Sequence, residues 1–259
     1  MLTYPQLSPE VFSIGPLSVR WYGFMYLLGF LSAWMLGRYR ASRSGIFTRL
    51  QFGDVLTFSI LGVILGARLG YVLFYQPLYY LSNPLEILQL WHGGMSFHGG
   101  LLGVILGQWL AGRRYGRGFF ETLDFVAPLV PPGLFFGRIG NFINGELWGN
   151  ITDAPWGMVF PGAGDLPRHP SQLYEAALEG LVLFGILWTY SSRPRPAMAV
   201  SGVFAVGYGV FRCFAECFRQ PDAHLGYLAF GFVTMGMLLC LPLILIGILF
   251  LFFAYRKRA

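Results

Sequence analysis

Long apolar stretches alternate with short polar connections along most of this chain. Each stretch is about as long as an α-helix must be to cross roughly 30 Å of hydrocarbon. The pattern therefore predicts an all-α fold, a polytopic membrane protein with seven transmembrane helices in a single domain over residues 1–259. The predicted spans lie near residues 19–37, 53–75, 95–111, 119–140, 172–190, 198–218 and 226–254.

The fourth predicted span contains Pro128, Pro131 and Pro132. Proline lacks a backbone N–H and clashes with the preceding helical turn, so it interrupts the helical hydrogen bonds. In a membrane such a break survives only where protein or water satisfies the freed backbone groups. We therefore expect the fourth helix to be interrupted.

Basic residues are distributed unevenly over the connections. Most of the 18 lysines and arginines fall after the first, third and fifth spans and in the C-terminal tail. Because cytoplasmic connections are enriched in Lys and Arg, we expect an external N-terminus and a cytoplasmic C-terminus. The residues on the expected cytoplasmic side are Arg38, Arg40, Arg43, Arg49, Arg113, Arg114, Arg117, Arg193, Arg195, Arg256, Lys257 and Arg258.

Composition agrees with a membrane protein and excludes several other classes. Hydrophobic residues make up 55% of the chain, charged residues only 12%, and the mean hydropathy is +0.57. The net charge of +6 is mostly explained by topology, so no nucleic-acid partner is indicated. The three cysteines lie in apolar segments, and no HExxH or CxxC motif occurs, so we expect neither disulfides nor a metal site.

Three arginines fall inside predicted helices: Arg68, Arg138 and Arg212. A charge at the bilayer centre costs about 2.5–3.5 kcal/mol even on the lenient insertion scale, so each arginine should face protein, water or a charged ligand. All three fall late in helices that run outward. Tyr22 and His98 fall early in helices that run inward, so we expect all five residues in one layer near the external leaflet.

The segment GRIGNFINGELWG, at 137–149, combines polar groups with glycines. Arg138, Asn141 and Asn144 are spaced by three residues and can share one helical face. The glycines make an unwound segment with exposed N–H groups equally plausible. A purely structural alternative is that Arg138 pairs with Glu146 and only anchors the end of a helix.

Tyr208, Arg212 and Glu216 form one stripe on the sixth predicted helix. An arginine that precedes a glutamate by four residues forms a weaker ion pair within a helix than the reverse order does. The alternative that Arg212 and Glu216 form an ion pair that only fixes helix packing is not excluded by the sequence. Guanidinium groups bind phosphate oxygens bidentately and stay charged in a dry site. In the outer leaflet the abundant phosphate is a phospholipid headgroup, so we predict a phospholipid site.

Five blocks of the sequence resemble the bacterial prolipoprotein diacylglyceryl transferase family. They are WYG (21–23), SFHGGLLG (96–103), GRIGNFINGELWG (137–149), RHPSQLYE (168–175) and GYGVFRCFAECFRQPD (207–222). The resemblance implies an inner-membrane enzyme with a periplasmic N-terminus and an active site toward the periplasmic leaflet. Such an enzyme transfers the diacylglyceryl group of phosphatidylglycerol to the lipobox cysteine of a preprolipoprotein, forming a thioether and releasing glycerol phosphate, without metal or cofactor.

The resemblance also implies roles for particular residues. His98 is the candidate general base, although a hydrogen-bonded packing histidine is as compatible with the sequence. Glu146 and Glu216 are expected to hold the arginines, and a short periplasmic head is expected at about 145–171. The catalytic candidates are His98, Arg138, Arg212, Glu146 and Tyr22. The substrate-binding candidates are Arg138, Asn141, Asn144, Gly149, Tyr208, Arg212, Glu216 and Arg68.

Two other functions fit the topology. A phospholipid or anion transporter, such as a flippase, would use the arginines to guide an anion across the membrane. Such proteins often contain inverted repeats, whereas seven spans do not divide evenly and no repeat is obvious here. An enzyme that transfers the phosphate-bearing headgroup is the third possibility.

Overall fold

The computed structural model describes residues 2–5, 8, 10–14, 17–90, 93–221, 226–228 and 231–256. Most of these residues are helical, which confirms the main class of the fold. The all-α expectation missed one antiparallel hairpin, formed by β1 (Glu10–Ile14) and β2 (Leu17–Arg20). Lys257 and Arg258, which the charge pattern assigned to the cytoplasmic tail, lie outside the described residues.

Ten α-helices occur in the described part of the chain, with two 3₁₀ segments at Pro84–Leu88 and Ala127–Leu129 and a π-helical segment at Ala176–Val182. The helices are α1 (Trp21–Ser44), α2 (Arg49–Phe74), α3 (Pro77–Ser82), α4 (Phe97–Arg114), α5 (Phe119–Val126), α6 (Val130–Ile143), α7 (Ser171–Glu175), α8 (Leu183–Tyr190), α9 (Ala199–Glu216) and α10 (Met235–Arg256).

Helices occupy all seven positions that the apolar pattern predicted. Within the described residues, five helical runs are long and apolar enough to cross a membrane, so the chain is a multi-pass membrane protein. Helices α1 and α4, at the first and third predicted positions, are not in that set, and the count of seven spans stays a prediction. The five runs are Arg49–Phe74, Phe119–Ile143, Ser171–Tyr190, Ala199–Glu216 and Met235–Arg256.

The predicted interruption of the fourth span is confirmed. Pro128 lies in the 3₁₀ segment that separates α5 from α6. Pro131 and Pro132 then lie in the first turn of α6, where the missing N–H has no intrahelical partner to lose. The prolines therefore set where α6 begins, and α6 carries Arg138.

The chain forms two compact units, one of Met1–Leu36 with Val126–Ala259 and one of Gly37–Phe125. Within the second unit, α2 packs on α4 through glycines. A Cβ added to Gly103 would overlap the carbonyl oxygen of Gly62, and one added to Gly99 would lie 2.9 Å from the Cα of Gly70. Small residues at these positions let the two backbones approach closely, as is common in membranes.

Within the first unit, α6 packs against the helical run from Ser171 to Tyr190, and α9 packs against α8 and α10. Gly180, in the π-helical segment, lies against α6. A Cβ added there would come within 2.9 Å of the Cα of Phe135, so this glycine permits the close approach. The contact brings the carboxylates of one helix beside the arginine of the other.

Candidate functional site

Arg138 pairs with two carboxylates from the Ser171–Tyr190 run. Its Nη2 atom lies 2.7 Å from Oε2 of Glu175 and 3.7 Å from Oε2 of Glu179. About a fifth of the Arg138 side chain stays accessible, at 18%. The closest contact with each of these carboxylates is made by Nη2. One side of the guanidinium group therefore faces buried carboxylates, while part of the side chain stays accessible.

Arg212, on α9, is surrounded by carboxylates. Its Nη1 atom lies 2.6 Å from Oε2 of Glu175, and its Nη2 atom lies 2.8 Å from Oε2 of Glu216. Only 11% of its side chain is accessible. The same oxygen of Glu175 therefore contacts the guanidinium groups of both Arg138 and Arg212, and it joins α6 to α9 through α7.

The sequence analysis missed Glu175 and Glu179. Their side chains are 1% and 0% accessible, so both are completely buried among helices. A signal was present, because both fall within the predicted span 172–190, and the cost of burying a charge in a membrane applies to carboxylates as well as arginines. Their spacing of four residues also places them on one helical face.

Local hydrogen bonds fix the helix that carries these carboxylates. The Ser171 hydroxyl donates to the carbonyl oxygen of Leu147 at 3.0 Å, and Nε2 of Gln172 donates to that of Glu146 at 2.6 Å. The first turn of α7 is therefore tied to the segment that directly follows α6. The π-helical segment comes next, a geometry that is frequent at functional sites.

Glu216 is held from three sides. Its Oε2 atom pairs with Arg212, as expected, and lies 3.9 Å from Nη1 of Arg219. Its Oε1 atom accepts a hydrogen bond of 3.0 Å from the hydroxyl of Thr234, just before α10. A Cβ added to Gly236 would lie 2.6 Å from the same Oε1 atom. The start of α10 therefore confines this carboxylate beside Arg212.

Asn141 and Asn144 both bind Glu146. The Nδ2 atom of Asn141 donates to Oε1 of Glu146 at 2.9 Å, and that of Asn144 donates to it at 3.3 Å. Helix α6 ends at Ile143, and Gly145 has a φ of 64°, which an L-residue rarely adopts. The sequence allowed either a helical face or an unwound segment for these residues. Each alternative holds in part, because Asn141 lies on the helix and Asn144 lies beyond its end.

Glu146 was expected to pair with Arg138, and the structure differs. The ion pairs of Arg138 with described residues go to Glu175 and Glu179. Glu146 instead accepts amide hydrogen bonds within its own turn. The physical reason is that α7, tied to this turn, places a buried carboxylate closer to Arg138 than the turn itself does.

Two tyrosine candidates lie in the same unit as Arg138. Tyr22, near the start of α1, is 39% accessible, and its hydroxyl lies 3.3 Å from that of Tyr26. It packs on α6, since a Cβ added to Gly140 would lie 3.3 Å from its ring. Tyr208 is half-buried on α9, one turn before Arg212. Tyr22 thus lies against the helix of Arg138, and Tyr208 lies on the helix of Arg212.

Gly149 lies where two backbone segments cross. Its N–H donates to the carbonyl oxygen of His169 at 2.8 Å, and Nη1 of Arg168 donates to its carbonyl oxygen at 3.3 Å. An added Cβ would overlap the carbonyl oxygen of Phe218. Burial lowers the pKa of His169, which favours a neutral imidazole here. Close packing of the head segment is sufficient to explain this glycine.

Arg68 was expected to bind substrate, but its guanidinium group binds the protein backbone instead. It lies in the second unit, is 4% accessible, and directs all five N–H donors at backbone carbonyls. A guanidinium group in this arrangement has no donor left for a phosphate. The carbonyl oxygens belong to Glu86, Ile87, Gln89, Gly93 and Gly94, at 2.6–3.2 Å.

His98 is the second residue of α4 and also lies in the second unit. Its side chain is exposed, and its ring lies 5.7 Å from that of Phe97, edge to face. The Ser96 hydroxyl caps the helix by accepting a hydrogen bond from the N–H of Gly99 at 3.2 Å. The cap fixes the start of α4, and therefore the position from which His98 projects.

In the described part of the chain, no three histidine, cysteine or carboxylate side chains are placed to hold a metal ion. Cys213, Cys217 and Cys240 are free thiols. The carboxylates of Glu175, Glu179 and Glu216 face guanidinium groups, so their charge is balanced by arginine.

Comparison with known proteins gives one family. A family profile described as prolipoprotein diacylglyceryl transferase matches residues 9–253. The chain is 62% identical over 259 residues to a protein of Oleidesulfovibrio alaskensis, covering 100% of this chain and 97% of the relative. It is 63% identical over 249 residues to a protein of Nitratidesulfovibrio vulgaris (strain DP4), with coverages of 96% and 95%. It is 59% identical over 261 residues to one of Azotobacter vinelandii, with coverages of 100% and 98%. All three relatives are named phosphatidylglycerol–prolipoprotein diacylglyceryl transferase.

Proposed function

The chain belongs to the prolipoprotein diacylglyceryl transferase family, and we propose how its buried charge cluster serves the reaction of that family. It is a membrane transferase that moves the diacylglyceryl group of phosphatidylglycerol to prolipoproteins, the first step of lipoprotein maturation. In our proposal the acceptor is the thiol of the lipobox cysteine, the product is a thioether, and glycerol phosphate is released.

The proposed mechanism rests on the guanidinium group of Arg138, which contacts buried carboxylates on one side only. Its closest contacts with Glu175 and Glu179 are made by Nη2, and 18% of its side chain stays accessible. Both two-donor edges of a guanidinium group, Nε–Nη2 and Nη1–Nη2, include Nη2, which carries two N–H groups. The edge turned away from Glu175 therefore keeps two N–H donors in the geometry that a phosphate accepts bidentately. We therefore assign the phosphate of phosphatidylglycerol to this edge of Arg138.

Negative charge grows on the phosphate as the glycerol C–O bond breaks. A fixed cation at that position stabilises the transition state more than the bound lipid, and this difference accelerates the reaction. Arg212 adds a second positive charge, held by Glu175 and Glu216. Loss of one such group typically lowers the rate by about 10²–10³-fold.

The bond changes balance without an oxidant or a metal. The thiol loses its proton, because thiolate is the nucleophile. The sulfur then forms a bond to C3 of the glycerol, and the C–O bond to phosphate breaks with its electron pair leaving on the phosphate oxygen. His98 is proposed as the base that accepts the thiol proton, on the strength of the family resemblance.

The remaining candidates are proposed to orient the lipid. Tyr22 and Tyr208 would position the headgroup or relay the proton, and Asn141 and Asn144 would bind headgroup hydroxyls or phosphate. Glu146 would hold both amides in place, consistent with its two hydrogen bonds. Gly149 would keep the head segment closely packed. We assign no substrate contact to Arg68, because its donors are satisfied by carbonyl groups.

The protein is a multi-pass protein of the bacterial inner membrane. We further propose seven spans, a periplasmic N-terminus, a cytoplasmic C-terminus and an active site near the periplasmic leaflet. The distribution of basic residues over the connections supports this orientation.

A transfer assay with two labels tests the function. Purified protein receives phosphatidylglycerol that is labelled in an acyl chain and, in a parallel reaction, in the terminal glycerol, together with a lipobox peptide. We expect acyl label on the peptide, glycerol label in free glycerol phosphate, and no transfer to a peptide with Ser in place of Cys. Headgroup label on an acceptor would favour headgroup transfer, and lipid crossing vesicles without peptide labelling would favour a transporter. Either result would contradict the proposal.

A further inference from the structure

Two buried carboxylates neither contact the substrate nor transfer a proton in the reaction proposed above. Glu175 and Glu179 are 1% and 0% accessible and lie four residues apart on the Ser171–Tyr190 run. Burial of a carboxylate in a helix bundle is costly and is retained mainly where the charge has a partner or a task. Both carboxylates face Arg138 and Arg212, so a role in holding these arginines is the first hypothesis to test.

The two carboxylates differ in geometry. A single oxygen of Glu175 lies 2.7 Å from Nη2 of Arg138 and 2.6 Å from Nη1 of Arg212. The oxygens of Glu179 lie 3.7 Å and 3.9 Å from the same two groups. Glu175 is therefore in close contact with both guanidinium groups, whereas Glu179 contributes mainly charge.

The anchoring of α7 supports this difference. Ser171 and Gln172, in the turn just before Glu175, are hydrogen-bonded to the carbonyl groups of Leu147 and Glu146. These carbonyls belong to the segment that follows α6, the helix of Arg138. The backbone of Glu175 is thus fixed relative to the arginine that it contacts.

We propose that Glu175 is a positioning residue for diacylglyceryl transfer. Its Oε2 atom holds the guanidinium groups of Arg138 and Arg212 at one point, so that the edge of Arg138 turned away from Glu175 is directed at the phosphate. This inference rests on the proposed function and adds to it a residue that acts through the arginines. Removing the restraint lowers the rate of the chemical step more than it weakens lipid binding.

Two substitutions separate orientation from charge. Glu175→Gln keeps the shape and loses the charge. Glu175→Asp keeps the charge but is shorter by one methylene, about 1.5 Å. We expect each to lower kcat by about 100-fold or more, the size of effect seen for a misplaced charge-stabilising group, with KM for phosphatidylglycerol within about threefold of wild type. Glu179→Gln should lower kcat by about tenfold or less, since its contacts are longer.

A matched control and a double variant complete the experiment. Glu121→Gln removes a partly exposed carboxylate that pairs with Arg117 at 3.1 Å, and it should leave kcat unchanged. If Glu175 acts through Arg138, the double variant Arg138→Lys with Glu175→Gln should be no slower than Arg138→Lys alone, within about threefold. If the Gln variant does not fold, the Asp variant supplies the same kinetic comparison.

Three results would overturn the inference: wild-type kcat in Glu175→Asp, a loss at Glu179 as large as at Glu175, or additive losses in the double variant. The proposed function fails in a different way. If the wild-type protein transfers no acyl label to the peptide, the function itself is wrong. If the wild type is active and the Glu175 variants are unimpaired, only the positioning role is wrong.

Discussion

The Oε2 atom of Glu175 lies 2.6 Å from the Nη1 atom of Arg212, in a part of the molecule where both side chains are almost inaccessible. Buried ion pairs seldom stabilise a protein beyond what apolar residues would achieve, because removing both charges from water is costly. Clusters of buried charge are more often found at functional sites. The bridge is therefore better explained by the placement of arginine for an anionic substrate than by stability.

The close contact between α2 and α4 predicts that glycine-to-alanine substitutions in these helices change stability by different amounts at different positions. Gly103→Ala places a Cβ onto the carbonyl oxygen of Gly62, and a backbone atom cannot move away easily. We expect a loss of about 1–3 kcal/mol in the free energy of unfolding, typical of overpacking. Chemical denaturation in detergent measures it.

Gly53→Ala is the matched control for this effect. It lies on α2 with no atom within 4 Å of an added Cβ, and alanine is the better helix former by about 1 kcal/mol. This variant should therefore be unchanged or more stable. Equal destabilisation of the two variants would refute the packing explanation.

Arg68→Ala should reduce stability without altering lipid recognition. It leaves five carbonyl oxygens without their donor, and hydrogen bonds to a charged group contribute about 1.5–3 kcal/mol each, so we expect a loss of at least about 3 kcal/mol. Thermal unfolding and the KM of the folded fraction for phosphatidylglycerol measure the two properties. Arg43→Ala, an exposed arginine over the ring of Tyr39, is the control.

A substrate-binding role for Arg68 makes the opposite prediction. In that case the KM for phosphatidylglycerol would rise by about tenfold or more in Arg68→Ala, while the unfolding temperature stayed at the wild-type value.

His98→Gln tests the proposed base. The side chain is exposed, so the substitution should leave the unfolding temperature unchanged. Loss of a general base typically lowers the rate by about 10²–10⁴-fold, and we expect that loss at every pH from about 6 to about 9. Near wild-type turnover over that range would remove His98 from the chemistry and favour a thiol ionised by the nearby arginines.

Much of this architecture could be predicted from hydropathy and charge. Apolar lengths predicted where helices lie, the prolines predicted the break before α6, and the cost of a buried charge singled out Arg138 and Arg212. The same cost applied to carboxylates would have found Glu175 and Glu179. They were not predicted, because the cost of burial was applied only to the arginines of the predicted spans.

Other features depend on tertiary contacts that spacing does not encode. The partners of Arg68 are backbone carbonyls, and every residue has a carbonyl, so no side-chain pattern could identify them. The pairing of Glu146 with Arg138 was inferred from nearness in sequence, whereas α7, remote in sequence, supplies the actual carboxylate. The hairpin of β1 and β2 is short, and a register shift between Glu10 and Phe12 interrupts its regular pairing.

Kinetics of Arg138→Lys test whether the free edge of Arg138 binds the phosphate. Lysine keeps the positive charge but cannot offer two parallel N–H donors. With acyl-labelled phosphatidylglycerol and a lipobox peptide, we predict a fall in kcat/KM of about 10²–10³-fold. Arg117→Lys, at a partly exposed ion pair outside the proposed site, should match wild type. Wild-type kcat/KM in Arg138→Lys would contradict the bidentate phosphate site.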